Sequence, residues 1–244
     1  MGRAKEIELK VIPKKIADEF VKSHHYSGKA VNNSQLHFGA FLDNRLHGVM
    51  QFGPSMTKAK IIGLVKDTGW NDFIELNRMA FDDYLPRNSE SRCISQAIKL
   101  IKKNAPHIKW IISFADAAQC GDGTIYRASN FVLTGYTKTE NAFWRVPPEL
   151  VELNGGEIAH RVKIQCKSSL LSKYILSRTN GKNLTIKEYI DKFGGEAVPG
   201  YSFRYIYFID KSYIDKLTVP VLPFSIINEL NGRMYKGQKI NGDL

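Results

Sequence analysis

The sequence predicts an α+β protein in which a mixed central sheet is flanked by helices. Residues 35–52 contain two runs of alternating apolar residues around an Asp43-Asn44-Arg45 turn, as in an antiparallel hairpin. Residues 110–116, WIISFAD, are almost continuously apolar, which is typical of a strand buried on both faces. Between these segments, the apolar residues of 94–101 are spaced for one buried helix face.

The first elements are predicted as strand, helix, strand, strand. A short apolar strand is expected at residues 7–12. An amphipathic helix then starts at about Pro13, with Ile16, Phe20 and Val21 facing inward. The hairpin follows this helix.

The second group of elements begins at residues 73–81, FIELNRMAF, which are predicted as a strand. A segment rich in turn and capping residues comes next, and a helix starts near Ser89. After the apolar strand, a Gly-rich loop at 120–123 leads into a short helix, TIYRASN. Residues 131–137 are predicted as a further strand.

Beyond Pro147 and Pro148 the pattern breaks into short elements, so a boundary is predicted near residue 150. Residues 1–150 are then the catalytic core, and residues 151–244 a small basic C-terminal extension. Within the extension, residues 202–210 alternate as in a half-buried strand that partly completes the sheet.

The charge of the chain favours a polyanionic partner. Its 35 Lys and Arg residues exceed its 24 Asp and Glu residues, which gives a formal net charge of +11 and a pI near 9.5. No apolar run is long enough to span a bilayer, and the charged start is unlike a signal peptide, so we expect no membrane association and a cytoplasmic location. Cys93, Cys120 and Cys166 have no paired spacing, which predicts neither a disulfide framework nor a zinc site.

A candidate anion site lies where the helix near Ser89 begins. The start of a helix presents unpaired N–H groups and a positive dipole end, which suit a phosphate or pyrophosphate. Arg87, Asn88, Ser89 and Arg92 occupy this junction. A capped surface helix with solvated arginines explains the same residues.

Asp116 ends the apolar strand, at the edge where sheets of this kind often hold ligands, and it serves equally as a turn cap. Tyr126, in the short helix after the Gly-rich loop, is a candidate proton donor or a core residue. His24, His25 and Tyr26 end the first helix, where a metal site competes with a structural role at the negative end of the helix dipole. Cys120 has no partner that indicates a nucleophile.

No acidic residue occurs in residues 158–187, which we call the basic segment. Its cations are expected to contact the phosphate backbone of nucleic acid, although a charged run is often only a solvated face. They are Arg161, Lys163, Lys167, Lys173, Arg178, Lys182 and Lys187.

Several motifs resemble the Mom DNA-modification family of phage Mu type, and the N-terminal organisation resembles the GNAT acyltransferase fold. The motifs are HYSG at 25–28, LNRMAFDDYLPRNSESR at 76–92, SFAD at 113–116 and GTIYRASNF at 123–131, with weaker likeness in RYIYFID at 204–210 and VPVLPF at 219–224. The resemblance covers residues 23–145 well and the remainder thinly.

The resemblance implies an enzyme, encoded by a phage or prophage, that converts the exocyclic amine of adenine in double-stranded DNA to a carbamoylmethyl derivative and so protects the DNA from restriction. It assigns site roles to His25, Tyr26, Arg78, Ser91, Asp116 and Tyr126. It also implies acetyl-CoA or another acyl-CoA at the 86–92 junction, although the usual GNAT glycine signature is absent there, and iron at His25, Tyr26 and Asp116.

Two other functions fit the residues alone. A GNAT-type N-acetyltransferase acting on a protein or a small amine would need no basic segment. A non-catalytic DNA-binding protein would keep the fold and the steep salt dependence of DNA binding, without changing any nucleoside. The group donor, the DNA sequence context and the oligomeric state do not follow from the sequence.

Overall fold

The computed structural model describes residues 3–117, 123–160, 164, 169–230, 234–235 and 238–239. The strands are β1 Glu8–Val11, β2 Leu36–Leu42, β3 Arg45–Gly53, β4 Phe73–Phe81, β5 Trp110–Asp116, β6 Val132–Arg145, β7 Ile158–His160, β8 Glu196–Phe208, β9 Met234–Tyr235 and β10 Gln238–Lys239. The helices are α1 Lys14–His24, α2 Lys58–Ile61, α3 Ser89–Asn104, α4 Thr124–Ala128, α5 Val151–Asn154, α6 Leu170–Arg178, α7 Ile186–Phe193 and α8 Ser225–Glu229.

The chain divides into two compact units. The first unit comprises Met1–Phe114, Thr124–Gly135 and Arg204–Leu222. The second comprises Ala115–Gly123, Tyr136–Phe203 and Pro223–Leu244. The division follows spatial packing, whereas the boundary predicted near residue 150 separates a catalytic core from an extension by function and stays a prediction.

The main sheet has eight strands in the neighbour order β1-β2-β3-β4-β5-β8-β6-β7. Strands β1 to β4 pair antiparallel, while β4 and β5 are parallel, with Phe73 opposite Trp110. The predicted α+β class with a mixed sheet is therefore confirmed. The strand expected at 202–210 is also confirmed, since β8 lies between β5 and β6. It is buried on both faces at Tyr205 and Ile206, not half-buried throughout.

The β2–β3 hairpin turns at Asp43 and Asn44, as predicted. Both residues have a positive φ, at 51° and 61°, which matches the tight turns whose twist suits an antiparallel pair. Helix α1 packs on this part of the sheet, but its phase differs from the prediction. Ala17 is buried together with Phe20 and Val21, whereas Ile16 is 44% exposed. The expectation that Ile16 faces inward is therefore wrong.

Strand β4 and helix α3 have the predicted positions, and the apolar face of α3 is buried as expected. On the face of the sheet that carries Phe73 and Trp110, the two rings stack with their centroids 4.3 Å apart. Ile206 and Phe208 of β8 join the same apolar cluster. This core fixes β4 and β5, the two strands that carry Arg78 and Asp116.

The second unit has a core around Trp144 of β6. Strand β6 extends well beyond the strand predicted at 131–137. The Trp144 indole donates to the Gly194 carbonyl over 2.9 Å, and its ring stacks on Tyr189 of α7. Strand β7 pairs antiparallel with the end of β6. In the described part of the chain, no helix combines the length and the apolar character that a membrane crossing requires.

Candidate active site and nucleic-acid interface

Strand β4 contains a β-bulge at Asn77. Gln51 of β3 pairs with Arg78, but the next residue, Phe52, pairs with Leu76, so Asn77 has no residue opposite it. Asn77 is buried, and its Oδ1 has no hydrogen-bond partner among the described atoms. The bulge turns the side chains of β4 away from regular alternation, as bulges beside active sites do.

The guanidinium of Arg78 is held by two backbone carbonyls. Its Nη1 donates to the Asn77 carbonyl over 2.7 Å, and its Nε donates to the Lys29 carbonyl over 3.3 Å. One carbonyl belongs to the bulge and the other to the loop that follows α1. Arg78 therefore connects the HYSG motif to β4 and keeps a fixed orientation.

His25 lies close enough to Arg78 for the positive charge to affect its titration. Burial, and then the charge of Arg78, lower the pKa of His25 to about 3, so the imidazole is neutral at physiological pH. The Ser27 N–H donates to His25 Nδ1 over 3.1 Å, which leaves the ring proton on Nε2. The Tyr26 ring lies 4.2 Å from the His25 ring and is 37% exposed.

These residues do not fit an iron centre. Nδ1 of His25 already accepts from Ser27, and the positive charge of Arg78 opposes a bound cation. Within the described ranges, no group of three or more His, Cys, Asp and Glu side chains is arranged to hold a metal ion. The structure therefore gives no support to iron at His25, Tyr26 and Asp116.

Glu75 is a candidate site residue that sequence reasoning missed. Burial raises the pKa of its carboxyl group, while hydrogen bonds to Ser55 and Asn77 and the charge of Arg78 partly oppose that rise. A signal was available, because Glu75, Asn77 and Arg78 place three polar side chains within four residues of a strand. Such a cluster inside a sheet costs free energy unless it is hydrogen-bonded or functional.

Tyr126 lies in α4 and is 8% exposed. Its phenol oxygen is 2.8 Å from the Ser113 hydroxyl of β5, and its ring stacks on Tyr205 with centroids 5.1 Å apart. The Ser113 hydroxyl also lies 3.3 Å from the Leu76 carbonyl of β4. A buried phenol in a hydrogen-bonded chain is oriented for proton transfer, which a tyrosine held by apolar packing alone is not.

Asp116 belongs to the second unit, where it is the last residue of β5 and partly buried. Its position at the end of an apolar strand agrees with the sequence prediction. Cys120 lies outside the described residues. Cys93 is buried, and burial raises the pKa of its thiol to about 12, so it is not a nucleophile.

The junction at 86–92 provides a cavity of about 430 Å³ along the first turns of α3. Its walls include Asn88, Ser91, Arg92 and Lys99 and contain no carboxylate. Asn88 has a φ of 70° and does not cap the helix with its side chain. The first turn of α3 is therefore not closed by its N-cap residue and faces a cationic cavity.

Of the four predicted cofactor residues at this junction, only Asn88 and Arg92 line the cavity. Arg87 is exposed, whereas Ser89 is 1% exposed and its hydroxyl donates to the Pro86 carbonyl. Arg92 donates to the Lys5 carbonyl over 3.0 Å, and its buried Nε has no partner among the described atoms. Of the predicted site residues at this junction, Asn88, Ser91 and Arg92 line the cavity.

The basic segment is partly described. Arg161, Lys163 and Lys167 lie outside the described residues. Its other four cations, on α6, on α7 and between them, are exposed, and none lies within 4 Å of a carboxylate in the described part of the second unit: Lys173, Arg178, Lys182 and Lys187. Unpaired, solvent-exposed cations are available to phosphate groups.

Comparison with known proteins gives two agreeing matches. The model of the Mom protein family matches residues 6–226. A methylcarbamoylase named mom, from Escherichia phage Mu, is 32% identical over 209 residues, which cover 85% of this chain and 78% of that protein. The chain belongs to the Mom protein family. Its membership identifies it as an enzyme and confirms the resemblance found in the sequence motifs.

Solved structures similar to this Mom family member include an acetyltransferase. An IAA acetyltransferase from Bacillus cereus has a TM-score of 0.44 and 11% identity, covering 83% of this chain and 99% of its own. Arabidopsis thaliana NAA60, in complex with a bisubstrate analogue, has a TM-score of 0.47 and 10% identity, covering 83% of this chain and 97% of its own.

Proposed function

We propose that this enzyme modifies the exocyclic N6 amine of adenine in double-stranded DNA, leaves a carbamoylmethyl group on it, and so protects phage or prophage DNA from restriction inside a bacterial host. The observation that carries the proposal is the 32% identity to the phage Mu methylcarbamoylase across 85% of the chain. The net charge of +11 and the unpaired cations of the basic segment support DNA as the substrate.

The adenine amine is a poor nucleophile because its lone pair is delocalised into the ring, so the reaction requires a base and close positioning. Asp116, at the end of β5, is the proposed base that takes a proton from the amine. Neutral His25 adds no second positive charge beside Arg78. Arg78, fixed by two carbonyls, is the proposed donor to the oxygen that gains negative charge, and Ser91 is a second candidate for that role.

The proposed group donor is acetyl-CoA or another acyl-CoA, held at the 86–92 cavity. Asn88 and Arg92, with Lys99 beside them, would hold its pyrophosphate, since the cavity is cationic and lies at the first turns of a 16-residue helix. A thioester donor alone would give an acylated amine and a thiolate that leaves; a carbamoylmethyl product would need, in addition, a co-reactant that supplies nitrogen and a step that joins N6 to the methylene carbon. Tyr126, its phenol oriented by Ser113, would donate the proton that the thiolate needs, and the proton that Asp116 takes from the amine balances this loss.

The chemical structure of the modified adenine shows whether a thioester was the group donor. Attack of the amine on a thioester carbonyl forms a nitrogen–carbonyl bond and releases the thiol, which leaves an acylated amine. A carbamoylmethyl group is instead joined through its methylene carbon and contains one nitrogen that an acetyl group lacks. An accurate mass of the modified nucleoside therefore separates the two products.

The experiment is mass spectrometry of nucleosides from DNA of cells that express the wild-type chain, Asp116→Asn or Tyr126→Phe. We expect a heavier adenine nucleoside with the wild type and about 100-fold less with either variant, because each loses one proton-transfer group. Circular dichroism checks that both variants keep the wild-type fold.

Two results would contradict the proposal. Normal nucleosides from cells that contain the folded wild-type protein would exclude DNA modification and favour an N-acetyltransferase or a non-catalytic DNA-binding protein. Wild-type levels of the modified nucleoside in Asp116→Asn or Tyr126→Phe would remove the role assigned to that residue.

A further inference from the structure

The connection between β3 and β4 is much longer than an antiparallel pair requires. Residues 54–72 join the two strands, whereas about 2–5 residues close a hairpin. The connection contains α2 and places two large apolar side chains in solvent, with Met56 81% exposed and Trp70 56% exposed. Long connections with exposed aromatic side chains usually serve binding.

Residues of this connection, with Gln35, line an open cavity of about 700 Å³ in the first unit. This volume lies within the range of about 300–1,000 Å³ that small-molecule sites occupy. The lining residues include two lysines and no carboxylate: Gln35, Pro54, Ser55, Met56, Thr57, Lys58, Ala59, Lys60, Trp70 and Asn71. The cavity is therefore positively charged and has an aromatic wall.

Lys58 is the best-defined cation of this cavity. Its Nζ lies 4.8 Å from the centroid of the Trp70 ring, 5.6 Å from that of Phe73, and 3.3 Å from Asn71 Oδ1. Partial burial lowers the pKa of the ammonium group. Among the described residues, no carboxylate lies within 4 Å of Lys58 to stabilise its positive charge. An anionic ligand would supply the missing counter-charge.

We propose that this cavity holds one unstacked nucleotide of the DNA substrate, with its base on Trp70 and its phosphate at Lys58 and Lys60. Aromatic side chains beside cations are the general means of binding single nucleic-acid strands. The proposal rests on the DNA-modifying function and adds the surface that grips the strand beside the reaction centre. Ser55 connects the two, because it lines the cavity and hydrogen-bonds to Glu75, which lies beside Arg78.

A nucleotide also occurs in coenzyme A, but the position of the cavity favours DNA. Trp70 and Asn71 precede the first residue of β4, whereas the 86–92 cavity follows its last residue. The nine residues of β4 span about 26 Å at roughly 3.3 Å per residue, and the two cavities adjoin the segments at its opposite ends. One cavity thus serves the donor and the other the strand.

Tryptophan fluorescence reports selectively on ligand binding in this cavity. The chain has three tryptophans, and Trp110 and Trp144 are both 0% exposed, so Trp70 is the one a ligand can reach. Titration of the full chain with a single-stranded oligodeoxynucleotide of mixed sequence is expected to quench its emission. Trp70→Leu should lose the quenching and raise the Kd about tenfold, while Lys58→Gln should keep the quenching and raise the Kd several-fold.

The matched control is Lys102→Gln, which removes one exposed positive charge from the last turn of α3 and should leave both the quenching and the Kd unchanged. An unchanged Kd for Trp70→Leu, or quenching by acetyl-CoA but not by the oligonucleotide, would overturn the proposal. Failure of the parent function has a different signature, in which the wild type binds and is quenched while cellular DNA contains only normal nucleosides.

Discussion

The β4 site of the first unit and the basic segment of the second unit hold their charges in opposite ways. At β4, Arg78 and Glu75 are partly or largely buried, and each is held by named hydrogen bonds. In the basic segment, Lys173 and Lys187 project from short helices into solvent, and within the described ranges neither lies within 4 Å of a carboxylate oxygen. A charge of the first kind acts through geometry and neighbouring pKa values, whereas charges of the second kind act through their number.

The largest effect is expected at Arg78. Arg78→Gln should reduce the modified adenine nucleoside about 100-fold or more, because a preorganised cationic donor is lost. Arg78→Lys keeps the charge but not the two-carbonyl geometry, and should reduce it about tenfold. Nucleoside mass spectrometry of DNA from expressing cells measures both, and equal losses in the two variants would show that geometry, not charge, is what Arg78 supplies.

The same two variants are also expected to differ in the pKa of His25. Arg78 is one of two causes that lower the pKa of His25 to about 3, the larger being burial. Removing the positive charge in Arg78→Gln should therefore raise the pKa of His25, while Arg78→Lys should leave it low. NMR titration of the imidazole measures this shift. An unchanged pKa in Arg78→Gln would mean that the two side chains do not interact electrostatically.

A linked effect on stability follows from the same pKa. His25 titrates below its ordinary value of 6.5 when folded, so the unfolded chain binds its proton first as the pH falls. Its contribution to the free energy of unfolding is complete above pH 6.5 and is lost progressively towards pH 3. In Arg78→Gln this loss should cover a narrower pH range, which denaturation at several pH values would measure.

A second, smaller effect is expected in the basic segment. Replacing Lys173, Arg178, Lys182 and Lys187 together with Gln should weaken the binding of double-stranded DNA about tenfold at moderate salt. The slope of log Kd against log salt should fall by up to about 3–4, since each phosphate contact contributes about 0.9. A salt slope that matches the wild type would mean that these four residues do not contact DNA.

Sequence pattern predicted the elements that depend on periodicity and left out the features that depend on pairing. The apolar spacing of α3 and the turn at Asn44 are local properties, and both are found. The bulge at Asn77 is set by the register of β4 against β3, which no local pattern contains. Ile16 was misplaced because Ala17, a small residue with a weak apolar signal, takes the position against the sheet.

The candidate site likewise contains residues that the sequence could identify and contacts that it could not. Arg78 and Tyr126 could be named because they lie in motifs of the Mom family. Their hydrogen-bond partners could not. Lys29 offers only a backbone carbonyl, 49 residues from Arg78, and Ser113 begins the SFAD motif but nothing in the sequence pairs it with Tyr126. The cavity at Trp70 was missed for a related reason, because exposure of an aromatic ring is visible only after folding.

The smallest effect is expected at Thr185, which begins α7 and so supports part of the basic segment. Its hydroxyl accepts from the Glu188 N–H over 3.3 Å, and the Glu188 carboxylate accepts from the Thr185 N–H over 2.7 Å, a reciprocal capping box. Thr185→Ala removes one of these bonds and should lower the free energy of unfolding by about 1 kcal/mol.

Urea denaturation measures that loss, and Thr185→Ser is the matched control, since it keeps the capping hydroxyl and should stay close to the wild type. Because the cations of the basic segment act through number and not through exact placement, Thr185→Ala should leave the salt slope of DNA binding unchanged. A reduced slope would instead show that the cap positions Lys187 on the DNA. The cations of α7 would then depend on exact placement, as Arg78 of the β4 site does, and not on their number alone.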